Sequence, residues 1–177
     1  AYITCPKVYL TGGSLYGGNY KQCVFIEAGS GTGCNIIMNG NLYCDGVAGY
    51  YSGISAAITR WGTSLGTFTL NGNIYAENQL AINAQGSNTL SRTIINGNIS
   101  TNLQIAYIAS NSTVIFKNGI LINNNTTAQS VSNKYPLIHV NQNSTTYVEN
   151  CHLYNFGTGS YSAVWKTSTT SQLNVYN

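Results

Sequence analysis

Only four acids occur in the 177 residues, Glu27, Asp45, Glu77 and Glu149, so acid–base chemistry has few candidates. Asp45 follows Leu42 by three positions and Glu77 follows Ile74 by three, in the similar runs NLYCD and NIYAE. On neighbouring rungs of a parallel stack, those carboxylates come roughly 5 Å apart, the separation used by paired-carboxylate glycosidases. Tyr43 and Tyr75 stand two positions earlier in the same runs, and Tyr16 extends the column towards the N-terminus. A tyrosine ring offers an apolar face and a polar tip, so tyrosines beside carboxylates form a workable sugar platform. Tyr16, Tyr43, Tyr75, Asp45 and Glu77 are therefore the expected ligand-binding residues, with Asp45 and Glu77 the candidates for catalysis. The plainer reading is an exterior stacking ladder beside two turn acids, and the scarcity of convergent polar groups favours it. No third acid or nearby basic partner completes an active site, and the acidic column continues as Asn102 and then Asn123 or Asn124.

Other reactive residues read more simply. Glu27 and Arg60 fall opposite each other when the repeats are overlaid, which predicts an exposed ion pair. His139 and His152 lie in different strand-like runs with no nucleophile beside them, so they read as structural histidines. Trp61 and Trp165 sit beside turns, where they cover a coil edge or a neighbouring subunit. There is no CxxC pair, nucleophile elbow, phosphate loop or dinucleotide fingerprint, and no metal or cofactor is expected.

The elements that must position these residues are announced by a repeat. Asn-Gly recurs at Asn39, Asn71, Asn96 and Asn118, and Asn150 repeats it with Cys151 in place of glycine. The intervals are 32, 25, 22 and 32 residues, and each copy lies between two apolar, β-prone runs. Repeats of that size mark stacked structural units. Halfway between the copies, a second apolar run ends at a corner: Gly29, Gly62, Gly86, Asn111, Asn143 or Ser168. Glycine and asparagine tolerate left-handed backbone angles, which such corners require. Units of two or three short strands joined by these corners are the coils of a parallel β-solenoid. Stacking would turn Asn39, Asn71, Asn96, Asn118 and Asn150 into a ladder of side-chain amides. Register is ambiguous at FKNGILI, which aligns either by its Asn-Gly or by Ile120, one residue apart.

The NGN[IL] repeats with asparagine at the corner resemble the asparagine ladders of right-handed, pectate-lyase-like parallel β-helices, including viral tailspikes and fibres. The resemblance covers about residues 3–177 and is one of pattern, with no family-specific catalytic signature. It implies an all-β fold: a right-handed parallel β-helix of about six to seven coils without significant helix, forming a single domain over residues 1–177. Neither end offers an amphipathic helix to cover the open sheet edges, and SQLNVYN stops within a strand. A fragment or one subunit of a longer fibre is the expectation.

Composition agrees with a β protein displayed outside the cell or on a virion. Charged residues make up 6% of the chain, while 19 glycines and abundant Val, Ile, Tyr and Thr suit strands and tight turns. The net charge of +3 comes from scattered lysines and arginines rather than a basic face, which argues against nucleic acid. No apolar run reaches the ~20 residues of a membrane span. On the overlay Cys5 and Cys34 lie within one position of each other on adjacent coils, a candidate disulfide in an oxidising compartment. Of the N-x-[ST] sequons, Asn111 and Asn143 stand at corners and are the accessible glycosylation candidates.

Three functions are compatible with such a solenoid. The leading expectation is a structural or adhesive fibre module, a homo-oligomer assembled as a trimer or an end-to-end filament, meeting surface glycans through the Tyr and acid column. Second is a polysaccharide lyase or glycoside hydrolase of the β-helix type. Third is ice binding, which requires a regular Thr or Asn array on one flat face. Coil lengths ranging from 22 to 32 residues and patchy threonine columns place it last.

Overall fold

The structure, a computed structural model, describes residues 7–17, 23–28, 35–44, 56–62, 66–77, 80–86, 91–124, 136–156 and 164–177. Among them there is strand and turn but no helix, and so none long and apolar enough to cross a membrane. The strands follow one another as coils. The first coil holds β1 (Lys7–Gly17) and β2 (Val24–Ala28), the second β3 (Asn35–Cys44) and β4 (Ala56–Gly62). The third has β5 (Thr67–Asn71), β6 (Ile74–Ala76) and β7 (Leu80–Gly86), and the fourth β8 (Arg92–Asn96), β9 (Ile99–Thr101) and β10 (Ala106–Ile108). The fifth has β11 (Thr113–Lys117), β12 (Ile120–Asn123) and β13 (Ile138–Val140). The sixth has β14 (Thr145–Glu149), β15 (His152–Asn155) and β16 (Val164–Lys166), and β17 (Gln172–Tyr176) opens a seventh.

Every strand pairs in parallel with its equivalent on the next coil, which makes the chain an all-β parallel β-helix. β3 runs through the Asn-Gly corner, and β1 passes the same corner with a one-residue bulge at Gly12 and Gly13, so two faces of the helix join there in one eleven-stranded sheet. The third face is a six-stranded sheet from β2 to β16. Alternation along each strand sends every second side chain into the lumen. Met38, Leu70, Ile95, Phe116 and Val148 line one inner column, Leu42, Ile74, Ile99 and Leu121 a second, and Ile58, Ile82, Ala106 and Ile138 a third. Each large aliphatic side chain so buried contributes about 1.5–3 kcal/mol.

The Asn-Gly corner carries two asparagine ladders. Asn71 Nδ2 donates to Asn39 Oδ1 at 2.8 Å, Asn96 to Asn71 at 3.3 Å, Asn118 to Asn96 at 3.0 Å and Asn150 to Asn118 at 2.9 Å. The asparagine after the glycine builds the second: Asn41, Asn73 and Asn98 accept, through Oδ1, the backbone N–H of Asn73, Asn98 and Ile120. Between the ladders the glycines touch through backbone. A Cβ on Gly72 would run into the carbonyl oxygen of Gly40, one on Gly97 into that of Gly72, and one on Gly119 into that of Gly97.

Both alignments of FKNGILI are partly right. Lys117 pairs with Asn96 and Leu121 with Ile99, so the fifth coil holds one extra residue at this corner. Asn118 is that residue; it adopts a left-handed φ of 52° and still reaches the ladder. Asn150 repeats the solution at the same φ. In earlier coils Gly40, Gly72 and Gly97 take the positive φ instead, between 151° and 159°.

The third corner is left-handed at Gly62, Asn111 and Asn143, as expected, and also at Ser110 and Gln142; Gly86 and Ser168 do not share that conformation. Gly29 lies outside the described residues. One pairing needs correction. Arg60 lies opposite Ile26, and Glu27 opposite Trp61, so the sequence overlay is one residue out. That shift turns Arg60 from the surface into the lumen. It is 1% exposed there, and its guanidinium donates to the carbonyls of Arg92 at 2.5 Å and Gly66 at 2.6 Å. The ion pair among the described residues joins Lys117 to Glu149 at 2.9 Å, across adjacent strand ends.

Candidate functional site

Tyr16, Tyr43 and Tyr75 point outward from equivalent positions of β1, β3 and β6, held in register by the Leu15, Leu42 and Ile74 residues beneath them. Their rings stack: centroids are 5.0 Å apart for Tyr16–Tyr43 and 4.8 Å for Tyr43–Tyr75, each pair inclined by 12°. Tyr16 is 77% exposed and Tyr75 40%, with Tyr43 half-buried between them. This geometry narrows the sugar platform. Rings packed on one another cover each other's faces, so along the flank the column presents ring edges and hydroxyls. Broad apolar faces remain only at its two ends.

Glu77 is exposed just beyond β6. Its backbone N–H donates to Cys44 O and its carbonyl accepts from Asn102 N–H, so the rung continues past the strand. Asn102 is half-buried on the next coil, and the Thr101–Asn123 pairing makes Asn124 the following member. Asp45, the other candidate acid, lies outside the described residues, as do Cys5 and Cys34. Among the described residues no three His, Cys, Asp or Glu side chains come together as metal ligands.

The disulfide that the structure describes joins Cys23 to Cys44. Overlaying equivalent positions could not find it, because the two residues come from different faces of adjacent coils. Cys151 is a free thiol; burial pushes its pKa up, partly opposed by hydrogen bonds with the Gly119 and Glu149 backbone. A thiol held protonated is a poor nucleophile. His139 is half-buried, edge-on to Tyr107, with Nε2 3.1 Å from Thr167 Oγ1, and desolvation lowers its pKa. His152 is exposed on β15, opposite Ile120.

Of the two corner sequons, Asn143 is exposed and Asn111 half-buried, its backbone N–H donating to Gln142 O. The second asparagine ladder escapes a reading of Asn-Gly alone, although NGN carries its signal in the residue after glycine. Fold and surface together define a parallel β-helix with an outward aromatic stack. Comparison with known proteins finds no matching family model, no matching curated protein and no matching solved structure.

Proposed function

We propose that this chain is a rigid module of an extracellular or virion-surface fibre, a right-handed, pectate-lyase-like solenoid that meets surface glycans through its outer aromatic column. The observation that carries this reading is the amide ladder from Asn39 to Asn150, unbroken through five coils. Each rung repeats the hydrogen bonds and lumen contacts of the last, which suits a component whose work is to be long and stiff. The Cys23–Cys44 bridge suits an oxidising compartment.

Mass measurement under native conditions, combined with electron microscopy of the intact chain, tests the fibre. Trimers or end-to-end filaments are the expected result. Compact monomers at micromolar concentration would sink it. Depolymerisation of a polysaccharide that disappears in Glu77→Gln would instead move the chain to the lyase or hydrolase class.

A further inference from the structure

We infer that the outer face of the fourth coil is a slot for one pyranose ring of a glycan, stacked on the open face of Tyr75. The inference rests on the glycan contact proposed above and gives it a location and a stoichiometry. In register, the column runs Tyr16, Tyr43, Tyr75 and then Ser100, followed by Ile122 and Tyr154. Strand spacing sets adjacent rungs ~4.8 Å apart, which the two ring–ring distances of 5.0 and 4.8 Å match. A serine in a column of rings shortens the side chain at that rung. Tyr75, 40% exposed, therefore turns an uncovered face towards a recess one coil deep.

The rim of the recess is polar. Ser100 Oγ forms its floor and accepts a hydrogen bond from Asn124 Nδ2 at 2.8 Å. Two positions beyond Tyr75 and Ser100, on their respective rungs, stand Glu77 and Asn102, joined by the Asn102 N–H to Glu77 O bond at 3.1 Å. Glu77 and Asn124 are exposed and Asn102 half-buried. A pyranose matches this combination: its C–H face lies against an aromatic ring while its perimeter hydroxyls meet a carboxylate and two carboxamides. A flat aromatic ligand would fill the recess but make no use of those polar groups. The sugar takes the place of a fourth ring, one per chain.

A printed array of neutral and acidic oligosaccharides, followed by calorimetric titration of the hits, provides the test on the intact chain. Wild type is expected to bind with one site per chain. Ser100→Tyr supplies the fourth ring from the protein itself and is expected to abolish binding without lowering the melting temperature. Tyr75→Ser, which inserts nothing and so serves if Ser100→Tyr fails to fold, is expected to weaken binding about tenfold. Undiminished binding by Ser100→Tyr overturns the slot and leaves glycan recognition elsewhere on the rod intact. A wild-type chain that binds no oligosaccharide overturns both. Loss of self-association in Ser100→Tyr without loss of sugar binding assigns the recess to a neighbouring subunit and likewise overturns the inference.

Discussion

Asn96 and Gly97 sit side by side in one corner but are held by different forces. Asn96 makes two amide contacts on an exposed ladder, to Asn71 and from Asn118. Water competes for such groups, so Asn96→Ala is expected to cost about 1 kcal/mol. Gly97 has a φ of 151° and no room for a Cβ beneath the Gly72 carbonyl. Gly97→Ala must push adjacent coils away from each other, and a loss of about 3 kcal/mol or more is expected. Urea denaturation of the two variants compares them directly; a larger loss for Asn96→Ala would show that the amides, not the backbone contact, fix the corner. His139 adds a pH dependence. Burial holds its folded pKa below the ordinary 6.5, so the unfolded chain takes up the proton first as pH falls. Its contribution is fully present above about pH 6.5 and is lost as pH falls through the folded pKa. His139→Gln is expected to flatten that region of a stability–pH curve.

Corners and strands differ in how far residue type alone reveals them. Asn143 is left-handed at φ 57° and exposed. Asn143→Gly should therefore alter stability by less than about 0.5 kcal/mol, whereas the β-branched Asn143→Val should cost about 1–2 kcal/mol, read from thermal melts. Equal effects would mean that backbone angle is not what selects this residue. The Asn and Gly corners are legible because few residues tolerate those angles, and the outer tyrosine column because it keeps step with Leu42 and Ile74. Arg60 misleads for the complementary reason. Its run, AAITRWG, is buried from Ala56 through Arg60, so hydrophobicity does not reveal which residues face inward. With no alternation to fix the register, sequence alone puts an arginine on the surface. The extra residue at Asn118 is visible only as two competing alignments, because an insertion absorbed by one left-handed turn leaves both flanking strands unchanged.

For the molecule as a whole, contacts run mainly from each coil to the next, so stability depends on how neighbouring coils are tied. The Cys23–Cys44 bridge ties the first coil to the second and closes a loop with a sequence separation of 21 residues. Cys23→Ser is expected to cost about 2–4 kcal/mol by the loop-entropy relation, with the loss concentrated in faster amide exchange from β1 and β2. Uniformly faster exchange through β14 would show instead that the coils unfold as one unit. At the glycine corner successive coils meet as backbone against backbone, with no side chain to compress or rotate between them. Along that edge, from Gly40 to Gly119, no side chain larger than glycine's hydrogen has a place, whereas the left-handed turn of the third face is filled by Gly62 in one coil and by Asn111 and Asn143 in others. Room for sequence change is thus uneven around the rod: the glycine edge is closed to it, while the third corner accepts any residue that tolerates a left-handed backbone.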